Sequence, residues 1–237
     1  GDPIMKGSSW WTSEYDKADV TSIEIKTNID VPDTAIYFWD VSVAGDRSVI
    51  AYLENDGSGN DTYKVTIGGR GGVIANSNSS QLFYNFTDVV SIDLDNFDTF
   101  KVTNMGHMFL NCTSLVELNI NNFNTSNVTN MGGMFNSCNS LSGLDLSSFN
   151  TSNVSDMSSM FVHCYGLTFL DLSSFDTSSV THMNNMFAYS SNLENLNLSS
   201  FHTSNVINMS FMFDGCNSLQ SLDLSNFDTS NVTNMAC

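Results

Sequence analysis

No lysine or arginine follows Lys101: all seven basic residues, Lys6, Lys17, Lys26, Arg47, Lys64, Arg70 and Lys101, lie in the first 101 positions. With a formal net charge of −18 the chain is repelled by phosphate backbones and anionic lipid headgroups, which disfavours nucleic-acid binding and direct binding to a membrane. A basic partner, a cation or a neutral glycan remains compatible, and acidity by itself also keeps a long chain soluble. Long apolar runs are missing as well. None approaches the roughly 18 to 20 residues that span a bilayer, and the N-terminus lacks the basic-then-apolar order of a signal peptide. Residues 1–7 read as a leader outside the fold, and the last repeat is truncated, as in a piece of a longer array.

What is present is a 26-residue period. Units begin at Leu115, Leu141, Leu167, Leu193 and Leu219, with an earlier copy opening at Val89. Their consensus is L-x-x-L-[DN]-L-x-x-F-[DN]-T-S-N-V-T-N-M-x-x-M-F-x-x-C-x-S. Self-similarity at such a period signals a solenoid, whose core is used in stacking neighbours and whose function sits on a surface. In Leu141-Ser142-Gly143-Leu144-Asp145-Leu146 the apolar residues at unit positions 4 and 6 alternate with a polar one, which predicts a short strand. Ser147 to Asn153 holds one Phe among turn formers and leads the chain away. Val154, Met157, Met160, Phe161 and Cys164 then recur at the spacing of one helix face, so a short helix is expected, with Ser152 or Asn153 as N-cap.

Strand, turn and short helix in one 26-residue unit give an α/β leucine-rich-repeat solenoid over residues 89–237, with a parallel sheet on one face and short helices on the other. The run Leu-Asp-Leu-Ser-Ser-Phe-Asp-Thr-Ser-Ser-Val-Thr at 170–181, with copies ending in Asn-Met-x-x-Met-Phe-x-x-Cys, resembles the BspA-like family of leucine-rich-repeat proteins on bacterial surfaces. The resemblance implies a cell-surface or secreted protein, acting as an adhesin toward host matrix proteins or other bacteria. Ordinary leucine-rich repeats carry Asn or Cys where this chain has Phe at position 9. Phe97, Phe123, Phe149, Phe175, Phe201 and Phe227 are therefore expected to stack as an aromatic spine.

Residues 8–88 lack the period but keep traces of it. Val20 to Asn28 repeats the strand pattern, Ser79 to Asp88 reads as a degenerate helix half, and Ser48–Leu53 with Tyr63–Ile67 alternates like a β-hairpin. The segment is expected to be an N-terminal cap covering the apolar end of the stack, with Trp10, Trp11 and Trp39 as its plug.

Candidate sites follow from what faces outward. Position 5 of the strand forms a column that includes Asp93, Asn119, Asp145, Asp171 and Asn197, about 4.8 Å apart along a sheet. Stacked like charges such as Asp145 and Asp171 repel, which points to a face that meets a basic protein, Ca²⁺ or sugar hydroxyls. Phe169 at position 3 is an outward aromatic amid polar residues, so it is the leading anchor for a protein partner. Asp93, Asp95, Asn96 and Asp98, and separately the 56–61 hairpin tip, are weaker Ca²⁺ candidates, since neither follows a known calcium-loop spacing. The Thr column at position 11, from Thr99 to Thr229, offers a hydroxyl ladder of the kind that matches ice or a glycan.

Other columns read as copied packing. Cys112, Cys138, Cys164 and Cys216 share position 24 with Ser190, which predicts reduced, buried thiols selected for size, while Cys237 falls where the array is interrupted. The Met pairs are packing, and the Asn-x-Ser/Thr sequons follow from the repeated T-S-N-V-T string. His107, His163, His182 and His202 sit at four different unit positions, and no convergent acid, base and nucleophile set emerges. The chain is thus expected to be a non-enzymatic, extracellular protein-binding module without cofactor or metal. The rival is a structural stalk without a ligand of its own.

Overall fold

The computed structural model describes residues 2–236. Among them the chain is strand and turn with almost no helix: two 3₁₀ turns, Ser8–Trp10 and Lys17–Asp19, are the only helical pieces. The main sheet is mixed. Strand β1 (Val20–Lys26) buries Val20, Ile23 and Ile25 and pairs in parallel with β6 (Ser91–Asp93), Ser22 facing Ser91. Strands β3 (Val49–Asn55) and β4 (Tyr63–Gly69) form the antiparallel hairpin, running from Val49 opposite Gly69 to Asn55 opposite Tyr63. β4 then lies parallel to β1, β2 (Tyr37–Asp40) edges β3, and β8 (Glu117–Leu118) follows β6, giving the order β2-β3-β4-β1-β6-β8. A second, short parallel pair joins β5 (Val73–Ile74) to β7 (Phe97–Asp98).

The segment read as a leader is part of this structure. Ile4 bridges Ile74 and Met5 bridges Ser42, the Met5 N–H reaches the Ile74 carbonyl at 2.9 Å, and the Met5 side chain is fully buried. An apolar pair whose backbone finds a free sheet edge is fixed by that edge, whatever its sequence neighbours. Gly1 and Cys237 lie outside the described residues.

From Asn78 onward the coils stack in register. Single parallel bridges link Asn78, Asn104, Asn130, Asp156, His182, Asn208 and Asn234, each one period from the next. The expected helices are not formed after these rungs. In the coil after Asn104, the N–H groups of Met105, His107, Phe109 and Asn111 donate to the next coil, to the carbonyls of Asn130, Gly132, Met134 and Asn136 at 2.8–2.9 Å. The residues between them close turns three residues back, Met108 to Met105, Leu110 to His107 and Cys112 to Phe109. This alternation needs a left-handed residue every fourth position, and His107 (φ 58°) and Asn111 (φ 65°) supply it. Gly133 and Ser137, Ser159 and His163, Asn185 and Tyr189, and Phe211 and Gly215 repeat the pair. A succession of three-residue turns buries the same Met, Met, Phe, Cys face that a helix would, so the spacing alone did not separate the two.

The inward side chains form columns. Phe83, Phe109, Phe135, Phe161, Phe187 and Phe213 stack with ring centroids 5.6–5.8 Å apart and planes within 14°. The aromatic spine therefore runs through position 21. The position-9 rings are buried through Phe201 but stack only in part: Phe97 and Phe123 are tilted by 52° at 6.3 Å, while Phe201 and Phe227 lie within 6° of parallel at the same distance. Trp10 covers the N-terminal end of the spine, stacked on Phe86 and edge-on to Phe83, and its indole N–H donates to the Leu82 carbonyl at 2.6 Å. Trp39 stacks on Trp10 and donates to the Trp10 carbonyl. At the other end, Met209, Met212, Phe213, Leu224, Phe227 and Met235 line an apolar groove, with Leu224 and Met235 exposed.

The position-24 column is chosen for a hydrogen bond as well as for size. Cys112, Cys138, Cys164 and Cys216 donate their thiols to the carbonyls of Phe83, Phe109, Phe135 and Phe187 at 3.0–3.2 Å, and the Ser190 hydroxyl does the same to Phe161. All four cysteines are free. Burial pushes the Cys112 and Cys164 thiols up to about 12 and the half-buried Cys216 to about 11. Since the thiolate is the reactive form, these groups are inert in the folded state. In a Cys237→Ser variant at pH 8, we expect Cys216 to react first with a disulfide reagent, and Cys112, Cys138 and Cys164 only at the unfolding rate. Rapid native-state labelling of Cys138 contradicts this packing.

Candidate binding surface

The acidic column has a local reason to exist. At position 5 the side-chain oxygens of Asp93, Asn119, Asp145, Asp171 and Asn197 each accept the backbone N–H two residues on, from Asp95, Asn121, Ser147, Ser173 and Ser199, at 2.9–3.2 Å. This is the Asx turn, in which a short acceptor replaces a backbone carbonyl. The same device recurs in the unit at position 10, as in Asn150 with Ser152, and at position 16, as in Asn130 with Gly132. Three such turns fold the coils from Leu115 and Leu141 back on themselves, whereas His182 and His202 replace one acceptor each in the next two coils. The backbone hydrogen bond from Ser147 holds the Asp145 carboxyl below its ordinary value, as that from Ser173 does for Asp171 and that from Ser225 for Asp223. Turn capping is thus what the stacked carboxylates gain, and Asn serves equally.

Only part of the column gathers into a site. Strand β9 (Phe169–Asp171) pairs in parallel with β10 (Asn195–Asn197), which sets Asn197 opposite Asp171. The sheet expected to run through every coil is broken before it: Gly143–Leu146 forms no strand, so β6 and β8 lie on one side of a gap and β9 and β10 on the other. Gly143 supplies neither side-chain packing nor β-propensity to hold a ladder there. The gap is a groove of about 360 Å³ lined by Leu144, Asp145, Leu146, Phe169, Asp171 and Ser173. Leu144 is half-buried, as Leu196 and Leu222 are at the same position, and Phe169 is 59% exposed. The groove therefore brings together Phe169, Asp145 and Asp171, with Asn197 flanking. Asn119 and Asp93 lie across the gap, on the β6–β8 side.

The remaining candidates find partners within the fold. Thr99, Thr125, Thr151, Thr177 and Thr203 are buried, and their hydroxyls donate to carbonyls of the next coil at 2.9–3.2 Å, so the surface ladder proposed for ice or glycan is turned inward. In the calcium candidates, Asp93 and Asp98 cap turns, and Asn96 donates to the Ile25 carbonyl. Asp56 caps Ser58 and accepts from the Thr21 and Thr62 hydroxyls, which lowers it to about 2. Among the described residues no three His, Cys, Asp or Glu side chains group as metal ligands. Several of the basic residues have structural partners: Lys17 donates to the Tyr84 carbonyl and lies over the Phe86 ring, and Lys64 pairs with Glu54. One cluster escaped sequence reasoning. His163, Tyr165 and Tyr189 meet on the turn edge of the stack, at a position where other coils carry Asn, Ser or Gly. The period itself held that signal, as a departure from a column.

The family described as Mycoplasma protein of unknown function, DUF285, matches residues 77–169 and again 162–237. The first match begins beside Asn78, the first rung of the inter-coil ladder. No curated protein and no solved structure matches the chain.

The capping geometry sets a pH dependence. A depressed carboxyl stabilises the fold above its unfolded value, near pH 4, and that contribution is lost as pH falls through the folded value, about 2 for Asp56. Acidification also relieves the repulsion of a −18 chain, which acts in the opposite direction. A triple variant Asp145→Asn, Asp171→Asn, Asp223→Asn keeps the turns without titrating. We expect its melting temperature to fall less between pH 4 and about pH 2 than that of a charge-matched control, Asp30→Asn, Asp33→Asn, Asp61→Asn. Equal acid sensitivity of the two contradicts the capping role.

Proposed function

We propose, for a chain that belongs to the DUF285 family, that it is a cell-surface or secreted protein-binding module, built as a leucine-rich-repeat solenoid of the BspA-like kind. Its partner is a protein, such as a matrix or neighbouring-cell protein, held at the groove around Phe169. The repeat's likeness to BspA-like surface proteins supports the location and the adhesive role. The observation that carries the binding reading is Phe169: a large aromatic, 59% exposed, beside half-buried Leu144 and between two carboxylates, at the break between β8 and β9. An apolar centre with a polar rim is the composition of a protein-contact hot spot. The role is non-enzymatic in this reading, since the buried thiols stay protonated at neutral pH and the carboxylates of the strand face serve turns.

The rival reading, a stalk that displays something else, draws on a specific observation too. Most polar groups of the repeat are satisfied inside it, as the inward Thr column and the Asx turns demonstrate. The two readings separate in a binding screen against immobilised matrix proteins and glycans, with and without Ca²⁺. We expect binding to a protein that Phe169→Ala weakens at least tenfold. The fold should survive, because an exposed side chain outside the core changes stability by only about 0.5 kcal/mol. Unchanged binding by the variant removes the groove as the contact, and no binding to any panel member supports the stalk.

A further inference from the structure

The position-23 column is left-handed in every coil, and Asn85, Asn111, Ser137 and Gly215 fill it with residues suited to that backbone. The two coils between carry His163 (φ 56°) and Tyr189 (φ 59°). His, like Asn, is tolerated in that backbone, but the Tyr189 side chain there holds strain that Asn or Gly avoids. Nothing in the core is gained in exchange, since Tyr189 is 47% exposed and Tyr165 is exposed beside it. A local rule broken without compensation inside the fold marks a functional position.

The three rings form one built edge. His163 and Tyr189 stack at 5.1 Å with planes 16° apart, and a hydrogen bond of 2.7 Å between the Tyr165 hydroxyl and His163 Nδ1 fixes the imidazole. On the next coil Gly215 makes room for the Tyr189 ring: a Cβ there would stand 2.6 Å from Tyr189 Cδ1. No side chain at 215 continues the stack, so the ring stays open to solvent. Asp214 lies alongside; its carbonyl accepts the Tyr189 N–H at 2.6 Å, and its nearby carboxylate raises the Tyr189 phenol above its ordinary value. No lysine or arginine follows Lys101 in the sequence, so the chain has no basic residue on these coils to neutralise this carboxylate.

We propose that this edge takes an arginine side chain of a basic partner protein, its guanidinium lying against the Tyr189 ring and pairing with the Asp214 carboxylate. A planar, weakly hydrated cation stacks on an aromatic ring and fits a carboxylate with two parallel N–H groups, which a lysine ammonium does not. The net charge of −18 draws such a partner in and sets its orientation. The inference rests on the protein-binding reading only for the source of the arginine. It concerns a different edge from the Phe169 groove and fails separately from it.

The test is an NMR titration of the whole chain with Nα-acetyl-argininamide, read at the ring signals of His163 and Tyr165. Saturable shifts are expected, weaker with the lysine analogue and absent with the neutral citrulline analogue. Asp214→Asn and Tyr189→Asn should each weaken binding at least tenfold. Tyr189→Asn installs the column's own residue, so its melting temperature should stay level or rise while binding is lost. Equal shifts from the citrulline analogue, or arginine shifts unchanged in Tyr189→Asn, overturn the proposal. So does a neutral oligosaccharide that moves these signals where arginine does not. Matrix binding that survives in Tyr189→Asn but not in Phe169→Ala leaves the groove reading intact and confines any failure to this edge.

Discussion

Alternate backbone N–H groups in the turn-rich third of each coil find acceptors only in the next coil, and the rest of the molecule depends on that constraint. A coil alone leaves those donors without partners and two residues in the left-handed region, each at a cost of about 1–3 kcal/mol. Stacking supplies the acceptors and also buries Val, Met, Met and Phe in the coils flanked on both sides, from Val102 through Phe187, at about 1.5–3 kcal/mol per fully buried side chain. Burial outweighs the strain, but only in company. The same requirement explains which residues never appear in the left-handed columns: no Val, Ile or Thr stands among Gln81, His107, Ser159, Asn185 or their partners one turn on.

Much of the architecture was legible because it repeats. The period located each coil, the Val20 to Asn28 pattern found the strand that opens the stack, and the alternation on both sides of 54–61 described the hairpin. The helix was misread for a physical reason. Met105, Met108, Phe109 and Cys112 are spaced as on a helix face, yet a chain of three-residue turns has that spacing too, and which way each amide points is not written in apolar periodicity. The better signal was the absence of β-branched residues at two fixed positions. The continuous aromatic spine runs through position 21 rather than position 9, where Phe201 and Phe227 stack but Phe97 and Phe123 are tilted; both columns are equally invariant, and only the fold separates them.

The surface followed the opposite logic. A column copied in every coil has a job common to every coil: the position-5 carboxylates cap turns, the Thr hydroxyls bridge coils, and the position-24 thiols bond a Phe carbonyl. Asp145 and Asp171 each hold a backbone N–H through Oδ1, so capping explains the column, and what sets these two apart is their place beside Phe169. What the repeat does not copy is where the molecule differs from a uniform rod. Gly143 opens the strand series, Phe169 stands in the opening, and His163 with Tyr189 carries rings where Asn would be easier. The N-terminal Trp cluster belongs to neither group, because Trp10, stacked between Trp39 and Phe86, finishes the core.

The most direct test of the inter-coil ladder is scalar coupling through hydrogen bonds, measured by NMR on an isotope-labelled chain. The account predicts a correlation from the Phe135 amide to the Met160 carbonyl, and from Phe161 to Met186, each 25 residues ahead. A correlation from the Phe135 amide to the Met131 carbonyl instead would mean a helix, and would contradict the ladder on which the fold is built.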